Sequence, residues 1–118
     1  MILRLTIFLV VSLHQHSWCQ EYFHEAFMSK RKLAYRYYHE KNYAEATQYL
    51  MPLYHRKKLK NKDVSMLADC LYKANHKDKA LEIYQFMENG NIEFDQESRN
   101  QYYISMINAG QFNKAYRW

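Results

Sequence analysis

The sequence repeats itself at a spacing of about 34 residues. Ala46, Ala80 and Ala115 lie 34 and 35 residues apart, and each is preceded three positions earlier by an aromatic or basic residue. Self-similarity at a fixed period of about 34 residues is typical of arrays in which one helical hairpin is copied and stacked. The spacing therefore predicts an all-α solenoid of about three helical hairpins.

Apolar residues within each unit follow helical spacing, which gives each helix a buried stripe. In the first helix of a unit the stripe is Leu33, Ala34, Tyr37 and Tyr38, and then Leu67, Ala68, Leu71 and Tyr72. In the second helix it is Tyr43, Ala46, Leu50 and Leu53, then Ala80, Ile83, Tyr84 and Met87, then Phe112, Ala115 and Tyr116. Two helices cross closely only where a side chain is small. We therefore expect each repeated alanine at the contact within its hairpin.

Polar residues and one glycine indicate where helices begin and end. Asp63 and Asp95 are expected to cap the first helices of the second and third units, because a side-chain oxygen can accept from a free backbone N–H. Gly90 is expected to end the second helix of the second unit in the left-handed conformation.

These units resemble the tetratricopeptide repeat, whose second helix opens with aromatic-x-x-Ala. The matching segments are 32–38 (KLAYRYY) with 42–46 (NYAEA), 65–72 (SMLADCLY) with 77–80 (KDKA), and 101–106 (QYYISM) with 108–115 (NAGQFNKA). Lys77 stands in place of the aromatic residue, Tyr103 in place of a small one, and the usual early Trp and closing Pro are absent. The resemblance implies a right-handed superhelix, with a domain over 20–118 and repeats at 28–60, 61–94 and 95–118, the last incomplete.

The first 19 residues have the layout of a secretory signal peptide. Arg4 supplies a positive charge, residues 5–13 are mostly apolar, and Ser17 and Cys19 are small residues before the expected cut. This apolar stretch is too short to cross a hydrocarbon core that needs about twenty residues. We therefore predict that residues 1–19 are removed and that the exported chain starts at Gln20. A retained anchor is the alternative.

With a signal peptide in front, the repeats look like the amino-terminal repeats of OmpA-like outer-membrane proteins of Bacteroidota. The residues that carry this likeness include 43–46 (YAEA), 67–72 (LADCLY) and 101–110 (QYYISMINAG). Some members of that family are linked to gliding and type IX secretion, and they continue into a propeller and a peptidoglycan-binding domain. Neither domain is in this sequence, so peptidoglycan binding is not carried over. The resemblance implies a periplasmic or outer-membrane location.

The residue patterns of known catalytic and metal sites are missing from the sequence. His24, His39, His55 and His76 have no paired ligand spacing, and no phosphate-binding glycine loop is found. We therefore expect no enzymatic activity, no metal and no cofactor. Removal of residues 1–19 leaves Cys70 as the only cysteine, and we expect it to be a small packing residue.

The family resemblance also implies a partner-binding groove along the first helix of each hairpin. By register, its residues are Arg31, Tyr35, Tyr38 and His39, then Ser65, Asp69, Tyr72 and Lys73, then Asn100, Ile104, Ile107 and Asn108. Tyrosine suits such a surface because it offers apolar area and a hydroxyl at low entropic cost, although Tyr35, Tyr38 and Tyr72 could equally complete interhelical packing. The clamp that binds peptide C-termini in some family members is not reproduced, since Tyr35, Met66 and Glu97 stand where polar or basic clamp residues belong.

A second candidate surface is the basic run of Arg56, Lys57, Lys58, Lys60 and Lys62, in a chain with a formal net charge of +5. Cations near a helix C-terminus are favoured by the helix dipole, which is the structural explanation. The functional explanation is contact with anionic lipid headgroups or with an acidic partner.

The predicted function is a non-catalytic protein–protein interaction scaffold of the bacterial cell envelope. One alternative is the amino-terminal part of an OmpA-like protein that assembles secretion or gliding machinery. The other is a nucleic-acid-binding helical repeat protein, which export disfavours. That alternative gains weight if the signal-peptide prediction is wrong, because the spacing from the second unit to the third is 35 residues, as in some RNA-binding repeats.

Overall fold

The computed structural model describes residues 29–118, and all regular secondary structure in that range is helical. The helices are α1 (Lys30–His39), α2 (Tyr43–His55), α3 (Asn61–Lys73), α4 (Lys77–Asn89), α5 (Gln96–Asn108) and α6 (Phe112–Arg117). The all-α prediction is confirmed for this part of the chain. The predicted signal peptide lies outside the described residues. No helix from residue 29 onward combines the length and apolar character that crossing a bilayer demands.

Each helix packs against the next one along the chain. Short connections at 40–42, 74–76 and 109–111 join α1 to α2, α3 to α4 and α5 to α6, so these pairs form helical hairpins. In addition, α3 contacts α5, which brings together the first helices of the second and third hairpins.

The repeated alanines lie in the core, as their size and spacing predict. Ala46, Ala80 and Ala115 are buried and belong to one hydrophobic cluster. The predicted stripe of α6 is wrong at its two aromatic positions, because Phe112 is 61% exposed and Tyr116 is 91% exposed. The short helix α6 packs on α5, and no further helix among residues 29–118 covers its outer side.

Helices α1 to α5 all end in the same way. A residue with positive φ follows each helix, and these residues are Lys41, Lys57, Asn75, Asn91 and Gly110. After α1, for example, the Lys41 N–H donates to the Tyr38 carbonyl at 3.0 Å and the Asn42 N–H to the Tyr37 carbonyl at 2.8 Å. This pair of hydrogen bonds is the Schellman motif, which satisfies carbonyls at the helix end and turns the chain.

Gly90 caps the end of α4, as expected, but it does not adopt the left-handed conformation predicted for it. Its φ is −91°, and its N–H still donates to the Phe86 carbonyl at 3.0 Å, so the helical pattern extends through it. The left-handed position falls one residue later, at Asn91, which has a φ of 53°. Asparagine tolerates this conformation better than most residues with a side chain.

The two predicted N-caps have different outcomes. Asp95 caps α5, since its carboxylate accepts from the Ser98 N–H at 2.7 Å. Asp63 does not cap α3, because the helix begins earlier and Lys60 is its N-cap. From the first turn, the buried Asp63 carboxylate reaches back and accepts from the Lys60 N–H at 3.3 Å.

Candidate partner-binding groove

The buried carboxylate of Asp63 joins the first hairpin to the second. Its oxygens accept from the Tyr35 hydroxyl at 2.6 Å and from the Arg31 Nε at 2.8 Å, and both donors lie on α1. Burial raises the pKa of Asp63, but the hydrogen bonds from Tyr35, Arg31 and the Lys60 backbone outweigh this effect and leave the pKa below its ordinary value. The carboxylate is therefore ionised at neutral pH and holds α1 against the start of α3.

A second carboxylate on α3, that of Asp69, connects all three hairpins. It accepts from the Tyr38 hydroxyl of α1 at 2.7 Å, from the Lys73 ammonium at 3.1 Å, and from the Gln101 amide of α5 at 2.8 Å. The Gln101 carbonyl in turn accepts from the Tyr84 hydroxyl of α4. Because Tyr38, Asp69 and Gln101 belong to successive hairpins, this network aligns α1, α3 and α5.

Lys73 closes the network on the α5 side. Its ammonium lies 3.1 Å from Asp69 and 3.1 Å from Glu97. Burial lowers the pKa of Lys73, and the hydrogen bonds to Asp69 and Glu97 more than reverse this, so the net direction is upward. The charge of Lys73 is thus engaged within the protein.

A cavity of about 340 Å³ opens beside this network. Of the predicted groove residues, it is lined by Tyr35, Tyr38, His39, Ser65 and Asp69. The remaining lining residues are Lys62, Met66, Asp95, Glu97 and Ser98. The cavity therefore spans the first helices of all three hairpins.

Charge is distributed unevenly around this cavity. Exposed basic groups of Lys62 and His39 lie on the side of α1 and α3, and exposed carboxylates of Asp95 and Glu97 lie at the start of α5. The Lys62 ammonium is 5.6 Å from the centre of the Tyr35 ring, a cation–π distance. Such a groove can offer both signs of charge, together with tyrosine rings, to a polar chain.

The other predicted groove residues lie away from the cavity lining. Tyr72 is half-buried, with the Lys77 ammonium 5.5 Å from its ring centre. Five further positions are as follows: Arg31 holds Asp63, Lys73 holds Asp69 and Glu97, Asn100 accepts from Gln96, Ile104 is 40% exposed, and Ile107 packs against the core. The exposed Asn108 ends α5.

On the third hairpin, the cavity is formed by the first turn of α5 instead of the later positions that the family register implies. The lining residues Asp95, Glu97 and Ser98 carry the sequence signal of a helix start, and that signal could have identified them. Met66 could have been found as the helical neighbour of Ser65 and Asp69. The partners of Asp63 had no local signal, because they lie 28 and 32 residues away along the chain.

The residues of the basic run are distributed over three local elements. Arg56, Lys57 and Lys58 lie in the connection after α2, Lys60 caps α3, and Lys62 lies in the first turn of α3 beside the groove. All five side chains are exposed, and none has an ion-pair partner within residues 29–118.

Over that same range, His, Cys, Asp and Glu side chains form no group of three that could hold a metal ion. Comparison with protein-family models, with curated proteins and with solved structures gave no match to this chain.

Proposed function

We propose that this protein is a non-catalytic scaffold that binds a segment of another protein in the groove along α1, α3 and α5. The observation that carries the proposal is the hydrogen-bonded chain of Tyr38, Asp69 and Gln101, which fixes three helices side by side next to an open cavity. A surface that is already ordered loses little conformational entropy on binding.

The chemistry of the groove favours a polar segment over an apolar helix. The hydroxyls of Tyr35 and Tyr38 donate to Asp63 and Asp69, so the ring faces are what these tyrosines offer to a partner. Lys62 on one side and Asp95 and Glu97 on the other provide charges of both signs. We infer that the bound segment carries basic and acidic residues in a fixed order along the groove.

We also propose that the three hairpins stack as a right-handed superhelix of the tetratricopeptide type. Support comes from the repeat spacing, from the buried alanines within the hairpins, and from the α3–α5 contact. On this proposal the groove is the concave side of the superhelix, and segments of partner proteins are its natural ligands.

Export to the periplasm or outer membrane is a further proposal, and it depends on residues 1–19. The exported protein should be recovered from the periplasmic or membrane fraction of cells with Gln20 at its amino terminus. Cytosolic protein that retains Met1 would contradict export and would favour the nucleic-acid-binding alternative. An assembly role in secretion or gliding machinery would use the same groove and would appear in the identity of the captured partner.

The groove itself can be tested with a photo-crosslinking amino acid placed in living cells. Ser65 lines the cavity, is half-buried, and has no hydrogen bond that the probe would break within the described chain, whereas Gln48 is exposed on α2. We expect a probe at position 65 to capture a defined protein that a probe at position 48 does not capture. Equal capture at both positions would contradict the groove as the binding surface.

A competing substitution sharpens this experiment. Ser65→Arg fills the cavity, and it should reduce capture by a second probe placed at exposed His39 on the cavity lining. The matched control, Gln48→Arg, adds the same side chain to exposed α2 and should leave that capture unchanged.

A further inference from the structure

A second cavity, of about 510 Å³, lies where the connection between α2 and α3 meets the end of α4. Its walls are largely apolar and are formed by Tyr54, Leu59, Val64, Phe86 and Ile92. The rings of Tyr54 and Phe86 meet edge to face at 5.4 Å, and Phe86 is 47% exposed. An aromatic wall thus stands open to solvent at this cavity.

Positive charge surrounds this apolar cavity. Lys57 lines it, and Arg56 and Lys58 belong to the same connection. These three side chains are exposed and have no acidic partner in the described part of the protein. One carboxylate, that of Glu82, influences the wall residue Tyr54. Burial is the main cause that raises the pKa of Tyr54, and the negative charge of Glu82 is the second cause. The cations of the connection still outnumber it.

We propose that this cavity is a docking site for an acidic amphipathic peptide segment of a partner protein. A concave apolar cavity accepts a discrete anchor side chain, such as Phe or Leu, and buried anchors of this kind dominate peptide affinity. The unpaired cations around it attract carboxylates that flank the anchor. A membrane surface is flat and would leave the cavity unfilled, so the observations favour a peptide over anionic lipid.

This site is separate from the groove along α1, α3 and α5. The two cavities share no lining residue, and the second one is formed by α2, the first turn of α3, α4 and the connections beside them. Failure of one proposal therefore leaves the other standing. If both hold, the protein joins two different partner segments through two faces.

The test uses random twelve-residue peptides displayed on phage and selected against the full chain. Enriched peptides are synthesised with a fluorophore, and their affinity is measured by fluorescence anisotropy. We expect one enriched class with an apolar anchor flanked by Asp or Glu, whose binding weakens roughly tenfold or more with Phe86→Ser. Lys57→Glu combined with Lys58→Glu should weaken it to a similar degree and reduce its dependence on salt.

Matched controls separate loss of the site from loss of the fold. Phe112→Ser removes another exposed aromatic ring on α6, and Lys30→Glu with Lys32→Glu makes the same charge change on α1. Both controls, and Ser65→Arg in the groove, should keep the affinity within about twofold, with unchanged helicity by circular dichroism.

Two results would overturn the proposal. The first is that the Phe86→Ser variant stays helical and binds every enriched peptide with the affinity of the wild type. The second is that the same two variants abolish binding to vesicles containing anionic phospholipid, while no acidic peptide binds. The second result would assign the surface to a membrane.

Discussion

Asp63 and Asp69 are acidic side chains that α3 holds inside the protein, and tyrosines of α1 donate to both. Removing a carboxylate from water costs several kcal/mol unless hydrogen bonds replace the lost hydration. Here the replacement is supplied by Arg31, Tyr35 and the Lys60 backbone at Asp63, and by Tyr38, Lys73 and Gln101 at Asp69. Loss of the Asp63 carboxylate would therefore remove the acceptor of Arg31 and Tyr35, and loss of the Asp69 carboxylate would remove that of Tyr38.

Asp63→Asn should lower the free energy of unfolding at pH 7 by about 1–3 kcal/mol. The amide has one accepting oxygen in place of two, and Arg31 loses its charged partner. Arg31 is 39% exposed, so water can partly solvate it and the cost stays below that of a fully buried pair. Urea unfolding followed by circular dichroism measures the change. Glu93→Gln is the matched control at an exposed position, with an expected effect within about 0.5 kcal/mol.

The same variant tests the ionisation of Asp63. Because its folded pKa lies below the unfolded value of about 3.9, its charge stabilises the fold fully above that pH, and this contribution is lost as the pH falls through the folded pKa. The difference between wild type and Asp63→Asn should therefore shrink when urea unfolding is repeated at about pH 2.5. An equal difference at both pH values would show that the charge of Asp63 contributes nothing.

Lys41 has a backbone conformation that is unfavourable for a residue with a side chain. Its φ of 59° is left-handed, which costs a non-glycine residue about 1–2 kcal/mol. Lys41→Gly should raise the free energy of unfolding by about 1 kcal/mol, since greater flexibility of the unfolded chain offsets part of the gain. Gly110→Ala should lower it by about the same amount, because φ is 76° there although an added Cβ meets no atom within 4 Å.

Thermal and urea unfolding measure the expected gain of stability in Lys41→Gly and the expected loss in Gly110→Ala. Lys79→Gly, at an exposed position inside α4, is the control and should lose about 1 kcal/mol. Loss of stability in Lys41→Gly would contradict the backbone argument.

At the scale of the helices, local chemistry made much of the fold predictable. Helical spacing and side-chain size are visible within one turn of sequence, and they identified the buried positions Ala46, Ala80 and Ala115. The helix ends were harder to place, because the left-handed residues that follow α1 and α2 are Lys41 and Lys57, where glycine would be expected. The exposure of Phe112 was also hard to predict, because it depends on what covers α6 and not on the helical spacing of Phe112 itself.

Ala80→Leu should lower the free energy of unfolding by about 1–3 kcal/mol, because three added carbon atoms must fit into the core that is packed around Ala80. Ala80 is completely buried in the core cluster. The control is Ala44→Leu on exposed α2, with an expected effect within about 0.5 kcal/mol. Urea unfolding measures the change in both variants, and equal effects would show that a small residue is not required at position 80.

At the scale of the whole molecule, the register between hairpins could not be predicted from sequence. Asp69 lies 31 residues from Tyr38 and 32 from Gln101, so only packing reveals these partners. The sequence placed Tyr38 and Asp69 in the groove but not Gln101, which is buried. Half of the residues that line the cavity were among those implied by the family resemblance. The contribution of Asp95 and Glu97 at the start of α5 depends instead on how the third hairpin packs on the second.

We expect the Asp69 network to couple the three hairpins into one cooperative unit, which Asp69→Ala should divide. Tyr38 would lose its acceptor and Gln101 the shorter of its two, since the Gln101 amide also donates to Glu97 at 3.3 Å, and we expect a cost of about 1–3 kcal/mol. Native-state hydrogen exchange should then show α1, α2, α5 and α6 opening at lower free energy than α3 and α4, whereas the wild type opens more nearly as a unit. Asp78→Ala, at an exposed position on α4, should leave that pattern unchanged.

Cys70, next to Asp69, gives an independent measure of the middle hairpin. It is fully buried, and burial is the main cause that raises the pKa of its thiol to about 12, so it should react with a thiol reagent only when the second hairpin opens. In a Cys19→Ser background, Asp69→Ala should accelerate labelling of Cys70 less than it accelerates exchange in α1 and α5. Equal acceleration throughout would mean that the hairpins still open together and that packing, not the Asp69 carboxylate, couples them.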